Sequence, residues 1–288
     1  MLPAIASSCC SLHLAPIMTV ISPLVPAQSL HGLGSVQVWD VREEQAYRGG
    51  HWPGAVWLDV KRWEALARSP DHGLEQKAAW EHELGQLGVS SAAPVLVYDD
   101  GRMTEAARVW FILQLHGADA RVIDGGWKIL ASALPPSGPD VSANRPVPAT
   151  FRTPDNYVPK VKLVSRQSLR DELLGKIQIL DARTPAEYAG TDLRANSRGG
   201  HLPQAKSLPH SGFLKENGTL KDAQQLRASL DEASLDLNTP LVTHCDAGGR
   251  AALAALAAVS AGHQDVSAYY LSYSDWAADS SCPISLAE

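Results

Sequence analysis

The chain of 288 residues has few cysteines, no excess of positive charge and no long apolar run. Its four cysteines are Cys9, Cys10, Cys245 and Cys282. They are too few for a disulfide framework, and the absence of any CxxC pair removes the usual zinc spacing, so no metal and no disulfide scaffold is expected. A reducing compartment, the cytoplasm, fits this usage. The net charge of −6 supplies no basic field for nucleic acid. No apolar stretch reaches the roughly 18 to 20 residues of a spanning helix, so a membrane protein is not expected. What remains is an ordinary globular composition, 45% hydrophobic and 19% charged, in a chain long enough for two domains.

The first residues, 1–19, read as an N-terminal tail without Lys or Arg and interrupted by proline. A secretory signal wants a positive start and an unbroken apolar core, so secretion is disfavoured. A targeting segment and a natural start at Met18 both stay open.

The chain repeats itself. "VWDVREEQAYRGGHWPGA" begins at Val38 and "ILDARTPAEYAG…GGHLPQA" at Ile179, the second copy carrying nine extra residues before its Gly-Gly-His. "PVLVYDDGRMTEAARVWFILQLHG" from Pro94 parallels "PLVTHCDAGGRAALAALAAVSAG" from Pro240. Counted from each proline, Asp99 takes the place of Cys245. The repeat divides the chain into units at 20–135 and 161–288, joined by a Pro- and Ser-rich linker at 136–160. Within each unit, short β-branched runs alternate with helical segments that stop at Gly117 and Gly262. Strand followed by helix, repeated, predicts an α/β fold with a parallel sheet and helices on both faces.

The chemistry concentrates in "THCDAGGR". Ligands in such sheets sit beyond the carboxyl ends of the strands, and Cys245 lies at one. Gly248 and Gly249 allow a sharp turn that aims backbone N–H groups inward. The next helix begins there with its positive dipole end, and Arg250 adds a full charge. These effects favour thiolate over thiol and predict an exposed, electropositive cup around a nucleophile. The plain alternative is a buried, inert cysteine. Asp246 would oppose the effect if it faced the sulfur, and is expected to face solvent.

These pieces together resemble a tandem-domain rhodanese of the thiosulfate or 3-mercaptopyruvate sulfurtransferase type. The resemblance runs from about Val20 through both Asp-x-Arg segments, the "CDAGGR" loop and "DGGW". It implies two rhodanese-like domains, with the catalytic cysteine in the second and aspartate at the matching place of the first, as at Asp99. It further implies a Cys245 persulfide without metal or organic cofactor, the loop residues Asp246, Ala247, Gly248, Gly249 and Arg250 around the sulfur, and a small donor such as thiosulfate. The acceptor would be cyanide, a thiol or a sulfur-acceptor protein.

Cysteine phosphatases carry a similar HCx5R loop, but here only four residues separate Cys245 from Arg250. The smaller ring of N–H groups suits a single sulfur better than a phosphate. The mercaptopyruvate type resembles CGSGV followed by Thr or Ser, with an arginine where this chain has Glu187. Both departures favour thiosulfate, with Arg250, Arg194 and Arg198 available to hold a sulfonate-like group. The mercaptopyruvate enzyme and a non-enzymatic sulfur-carrier or redox module are the alternatives. "YYLSYSDW" departs from the family's "YDGSWSEW" and should reshape the turn beside the site.

Other residues are weighed more simply. Asp181 and Arg183 resemble the family's Asp-x-Arg near the site, but Arg183 is expected to pair with Glu187 one helical turn later. His51 and His201 occur in both copies, armed or not, so a fold requirement is expected. Strand alternation should turn His244 away from the site. Trp127 and Trp276 are expected to pack at domain ends, and Asp99 and Arg102 are candidates to line the interdomain cleft.

Overall fold

A computed structural model describes residues 22–135 and 139–286; the tail at 1–19 lies outside them. The first unit contains β1 (Leu24–Pro26), β2 (Gln37–Asp40), β3 (Val56–Trp57), β4 (Val95–Tyr98) and β5 (Ala120–Asp124). The second contains β6 (Val161–Leu163), β7 (Gln178–Asp181), β8 (Lys206–Ser207), β9 (Leu241–His244) and β10 (Val266–Ala268). The sheets run β1-β5-β4-β2-β3 and β6-β10-β9-β7-β8, the same order in each unit. Every pair among them is parallel. Among the described residues no helix is long and apolar enough to cross a membrane.

Strand alternation sorts the core. Val95 and Val97 join Leu180, Leu241 and Cys245 in one cluster that spans both units, while Leu96 and Tyr98 face a core private to the first unit. Ile179 and Val242 face a core private to the second. Each central strand is therefore buried on both faces, as expected for parallel strands between helices. The shared cluster forms where the helix after β4, Thr104–Leu115, packs on the helix after β9, Gly249–Ala261. These two helices are equivalents in the repeat, so the units meet through the same element on each side, as a two-fold pairing would. The alanines explain the close approach. Ala251, Ala252, Ala254, Ala255, Ala257 and Ala258 are all buried, and a helix with so little side-chain volume can lie against its own sheet, a neighbouring helix and the other unit at once.

The helix Gly249–Ala261 ends at Gly262 with φ 100°, a left-handed conformation that glycine adopts without strain. Between the units, residues 139–160 form no helix or strand. The segment runs over the first unit, bridging Asp140 to His51 and donating Ala149 N–H to Gly85 O.

Candidate active site

Cys245 follows the last residue of β9, at the carboxyl edge of the sheet, and the helix Gly249–Ala261 starts four residues later. Leu241 on β9 and Cys245 just beyond it point into the shared core, while His244 points to the opposite face. There His244 Nε2 lies 3.5 Å from Asp181 Oδ2. Burial pushes the His244 pKa down, so it is a neutral packing residue facing away from the sulfur, as strand alternation predicts. The first unit has the matching pair, Tyr98 donating to Asp40 Oδ2 at 2.6 Å.

The loop turns at Gly248, φ 99°, and this lets its N–H donate to Cys245 Sγ at 3.1 Å. Ser272 closes the other side. Its hydroxyl accepts Cys245 N–H at 3.1 Å and lies 3.8 Å from Sγ. The sulfur is thus enclosed, and Cys245 is 1% exposed. The expected exposed cup is corrected: the loop and the turn at Ser272 wrap the sulfur at the bottom of the cup, leaving almost none of the residue accessible.

Arg250 does not stand free over the sulfur. Its Nη1 and Nη2 hold the two Glu187 oxygens at 2.6 and 2.8 Å. Burial works against the Glu187 carboxylate, but the Arg250 bonds and the Thr184 N–H outweigh it, and its pKa falls to about 2. Arg250 also loses stability as a cation through burial, yet Glu187, with further help from Cys245 and Asp246, holds its pKa above the ordinary value. The expected Arg183–Glu187 pair is absent. Thr184 caps the helix Pro185–Ala189 in a capping box with Glu187, so Arg183 lies outside the helix and the one-turn spacing does not apply. Arg183 instead grips Asp181, donates to Gly200 O at 2.8 Å, and stacks 3.8 Å from the Tyr273 ring. Asp181 and Arg183, both buried, therefore brace the fold behind the loop.

The nine-residue insertion lies beside the loop. Asn196 donates to Asp246 Oδ1 at 2.7 Å, so Asp246 is half-buried and held by a partner instead of facing solvent. Arg198 donates to the Trp276, Ala277, Asp279 and Cys282 carbonyls. It caps the end of the helix Ser272–Ala278, and its guanidinium is spent on backbone. Arg194 is exposed, with φ 53°. The structure thus brings together Cys245, Asp246, Ala247, Gly248, Gly249 and Arg250, and sets Arg198 to another task.

Several neighbours carried weaker signals. Arg108, from the first unit, reaches the Ala247 carbonyl at 2.8 Å; a charged residue inside the apolar run "AARVWFIL" was its trace in the sequence. Tyr270, which replaces the family's Asp beside the site, is buried and stacks on Phe111 with ring centroids 5.8 Å apart. Burial, and then the Arg250 charge, push the pKa of nearby His210 down, and nothing in its sequence context marks it. His51 and His201 each stack on a tyrosine at 3.8 Å, on Tyr47 and Tyr188, and each Nδ1 meets that tyrosine's carbonyl. That is the fold role expected of a shared feature. Trp127 stacks on Tyr98, and Trp276 is buried with its Nε1 on Pro283 O.

The first unit holds a different occupant in the same loop. Asp99 is buried and accepts N–H bonds from Gly101, Met103, Glu105 and Ala106. Burial raises its pKa, and those bonds oppose the rise. Asp99 is therefore enclosed in its loop and does not line an open cleft, while Arg102 is exposed and paired with Asp100. Met103 and Gly248 are the N-caps of the two equivalent helices, and each gives its N–H to the residue at the loop's start.

Comparison with known proteins decides the family. The Rhodanese-like domain matches residues 26–133 and 165–279. The chain belongs to the rhodanese family. A thiosulfate sulfurtransferase from Gallus gallus is 30% identical over 82% of this chain and 81% of its own length. A 3-mercaptopyruvate sulfurtransferase from Homo sapiens is 30% identical over 82% of this chain and 80% of its own. The crystal structure of a 3-mercaptopyruvate sulfotransferase from Escherichia coli is 26% identical and superposes with a TM-score of 0.72, covering 88% of this chain and 99% of that one. An anaerobic ergothioneine biosynthesis enzyme from Chlorobium limicola has a TM-score of 0.80 at 18% identity, over 92% of this chain and 70% of its own. That likeness speaks to the rhodanese fold alone. Two five-stranded rhodanese units, one carrying cysteine and one carrying aspartate, describe the chain.

Proposed function

We propose that the chain is a sulfurtransferase that carries sulfur as a Cys245 persulfide and takes it from thiosulfate. The observation that carries this reading is Asp99. An aspartate oxygen stands two bonds beyond Cβ, as does the outer sulfur of a cysteine persulfide. In the first unit the two carboxyl oxygens are held by loop and helix-start N–H groups, Oδ1 by Gly101 and Met103 and Oδ2 by Glu105 and Ala106. In the second unit the N-cap N–H already meets Sγ. The N–H groups of Arg250 and Ala251, which have no intrahelical partner by position, are the counterparts of those that hold Asp99.

The thiolate of Cys245 attacks the outer sulfur of thiosulfate. The new S–S bond forms as the old one breaks, and sulfite leaves with the electron pair. Loop N–H groups stabilise the charge that remains on sulfur. Cyanide or a thiol then attacks the outer sulfur, and Cys245 leaves as thiolate. The pairing of Arg250 with Glu187 supports thiosulfate over mercaptopyruvate, because the position that would offer an arginine to a substrate carboxylate offers a carboxylate instead. The same pairing supports a second reading, a carrier loaded by a protein persulfide, since a neutralised arginine attracts small anions weakly. Steady-state rates with thiosulfate and with mercaptopyruvate on one preparation test the choice. Faster turnover with thiosulfate is expected. Faster turnover with mercaptopyruvate overturns the donor assignment, and negligible turnover with both, alongside loading from a protein persulfide, favours the carrier.

A further inference from the structure

We propose that Arg108, carried by the unit without cysteine, is a positioning residue for the sulfur site: by holding the Ala247 carbonyl it turns the Ala247–Gly248 peptide so that its N–H faces Cys245. The inference rests on Cys245 as the sulfur-accepting nucleophile. The two ends of one peptide unit carry the argument. Arg108 Nη1 donates to Ala247 O at 2.8 Å, and Gly248 N–H donates to Cys245 Sγ at 3.1 Å. In a planar trans peptide the C=O and N–H point in opposite directions, so fixing the oxygen outward aims the hydrogen inward. Gly248, at φ 99°, makes rotation of this peptide cheap, because glycine tolerates conformations on both sides. A rotated peptide would present its carbonyl oxygen to the sulfur, where it repels the negative charge that attack requires.

Arg108 is itself rigidly held. It is 4% exposed, bonds Glu105 Oε2 at 2.8 Å, approaches Glu64 Oε2 at 3.7 Å, and donates to the Tyr270 hydroxyl at 3.0 Å. Tyr270 is fixed in turn by its stacking on Phe111. Interface packing alone would be served by an apolar side chain without the cost of burying a cation. Gly249 fits the same arrangement, since a Cβ there would come within 3.0 Å of Arg108 Nη2. The unit without a cysteine thus takes a part in the chemistry of the other.

The test compares the full chain with Arg108→Met, Arg108→Lys, Gly249→Ala and the Arg108→Lys/Gly249→Ala double variant. Two rates are read per folded molecule: alkylation of Cys245 by iodoacetamide at fixed neutral pH, and persulfide formation at saturating thiosulfate. Loss of a positioned N–H donor predicts that Arg108→Met slows both by about ten-fold or more, with half-saturation by thiosulfate unchanged within about two-fold. Arg108→Lys, which keeps a donor within reach of Ala247 O, restores both to within about three-fold of the parent. Gly249→Ala slows both as well, and Arg108→Lys relieves the part of that loss due to Nη2, the 3.3 Å approaches to Glu105 Oε1 and Thr104 O remaining. Parental rates in folded Arg108→Met overturn the proposal. If Arg108→Met does not fold, Arg108→Lys rates that fall about ten-fold or more below the parent, together with a Gly249→Ala defect that Arg108→Lys does not lessen, overturn it. Alkylation separates this proposal from the donor assignment: if thiosulfate loads no persulfide on the parent, the alkylation rates still report on Arg108.

Discussion

Replacing Glu187 with glutamine removes one half of the charge pair that closes the site, and its effect can be worked from the structure. Glu187 has a folded pKa of about 2 against an unfolded value of 4.5, which corresponds to roughly 3 kcal/mol of stability at neutral pH. The side chain is 1% exposed, so solvent screening removes little of it. Because the folded pKa is depressed, this stability is fully present above the unfolded value and is lost as pH falls toward the folded one. Glu187→Gln leaves Arg250, 17% exposed, with a neutral partner, and a loss of about 2–4 kcal/mol at neutral pH follows. Urea midpoints of parent and variant, followed from neutral to acid pH, provide the assay. The gap should hold down to about pH 5 and close between there and about pH 2. The freed arginine should also lower the KM for thiosulfate. A gap of the same size at about pH 3 as at neutral pH, or a variant as stable as the parent, would show that the Glu187–Arg250 pair does not supply this stability.

Three further outcomes follow from the same geometry. Arg198→Ala removes the donors to four carbonyls at the end of the helix Ser272–Ala278 and should cost about 2–4 kcal/mol in chemical unfolding, while the KM for thiosulfate per folded molecule stays unchanged; a raised KM would return Arg198 to the substrate. Asp99→Asn turns an acceptor-only carboxylate into a group that brings donors against four N–H groups, and a loss of about 1–3 kcal/mol is expected in the same assay, with no change in sulfur transfer at Cys245. Ser272→Ala strips the acceptor from the Cys245 N–H and should cost about 1–3 kcal/mol and slow persulfide formation in single-turnover measurements.

Much of the architecture was legible in the sequence because it rests on local chemistry. The runs around Val95 and Leu241 are strands, Gly117 and Gly262 follow the helices they were expected to stop, and the repeat placed Asp99 opposite Cys245. Strand alternation alone turned His244 away. The short edge strands, β3 and β8 with two residues each, carry too few residues for a periodic signal. The arginines were less legible. A guanidinium serves whatever acceptor the tertiary fold brings near, and a linear pattern does not say which. Arg198 went to helix-end carbonyls, Arg250 to Glu187, and Arg183 to Asp181, the last because "TPAE" is a capping box that begins the helix after Arg183. The contribution of Arg108 depends on how the two units pack, which only the shared core between equivalent helices determines.

Whether Cys245 takes sulfur into a persulfide is read from the mass of the chain after brief exposure to thiosulfate. A gain of about 32 Da, one sulfur atom, is expected on the Cys245 peptide, discharged by cyanide and absent from Cys245→Ser. A gain that persists in Cys245→Ser, or that maps to Cys282, contradicts a persulfide on Cys245.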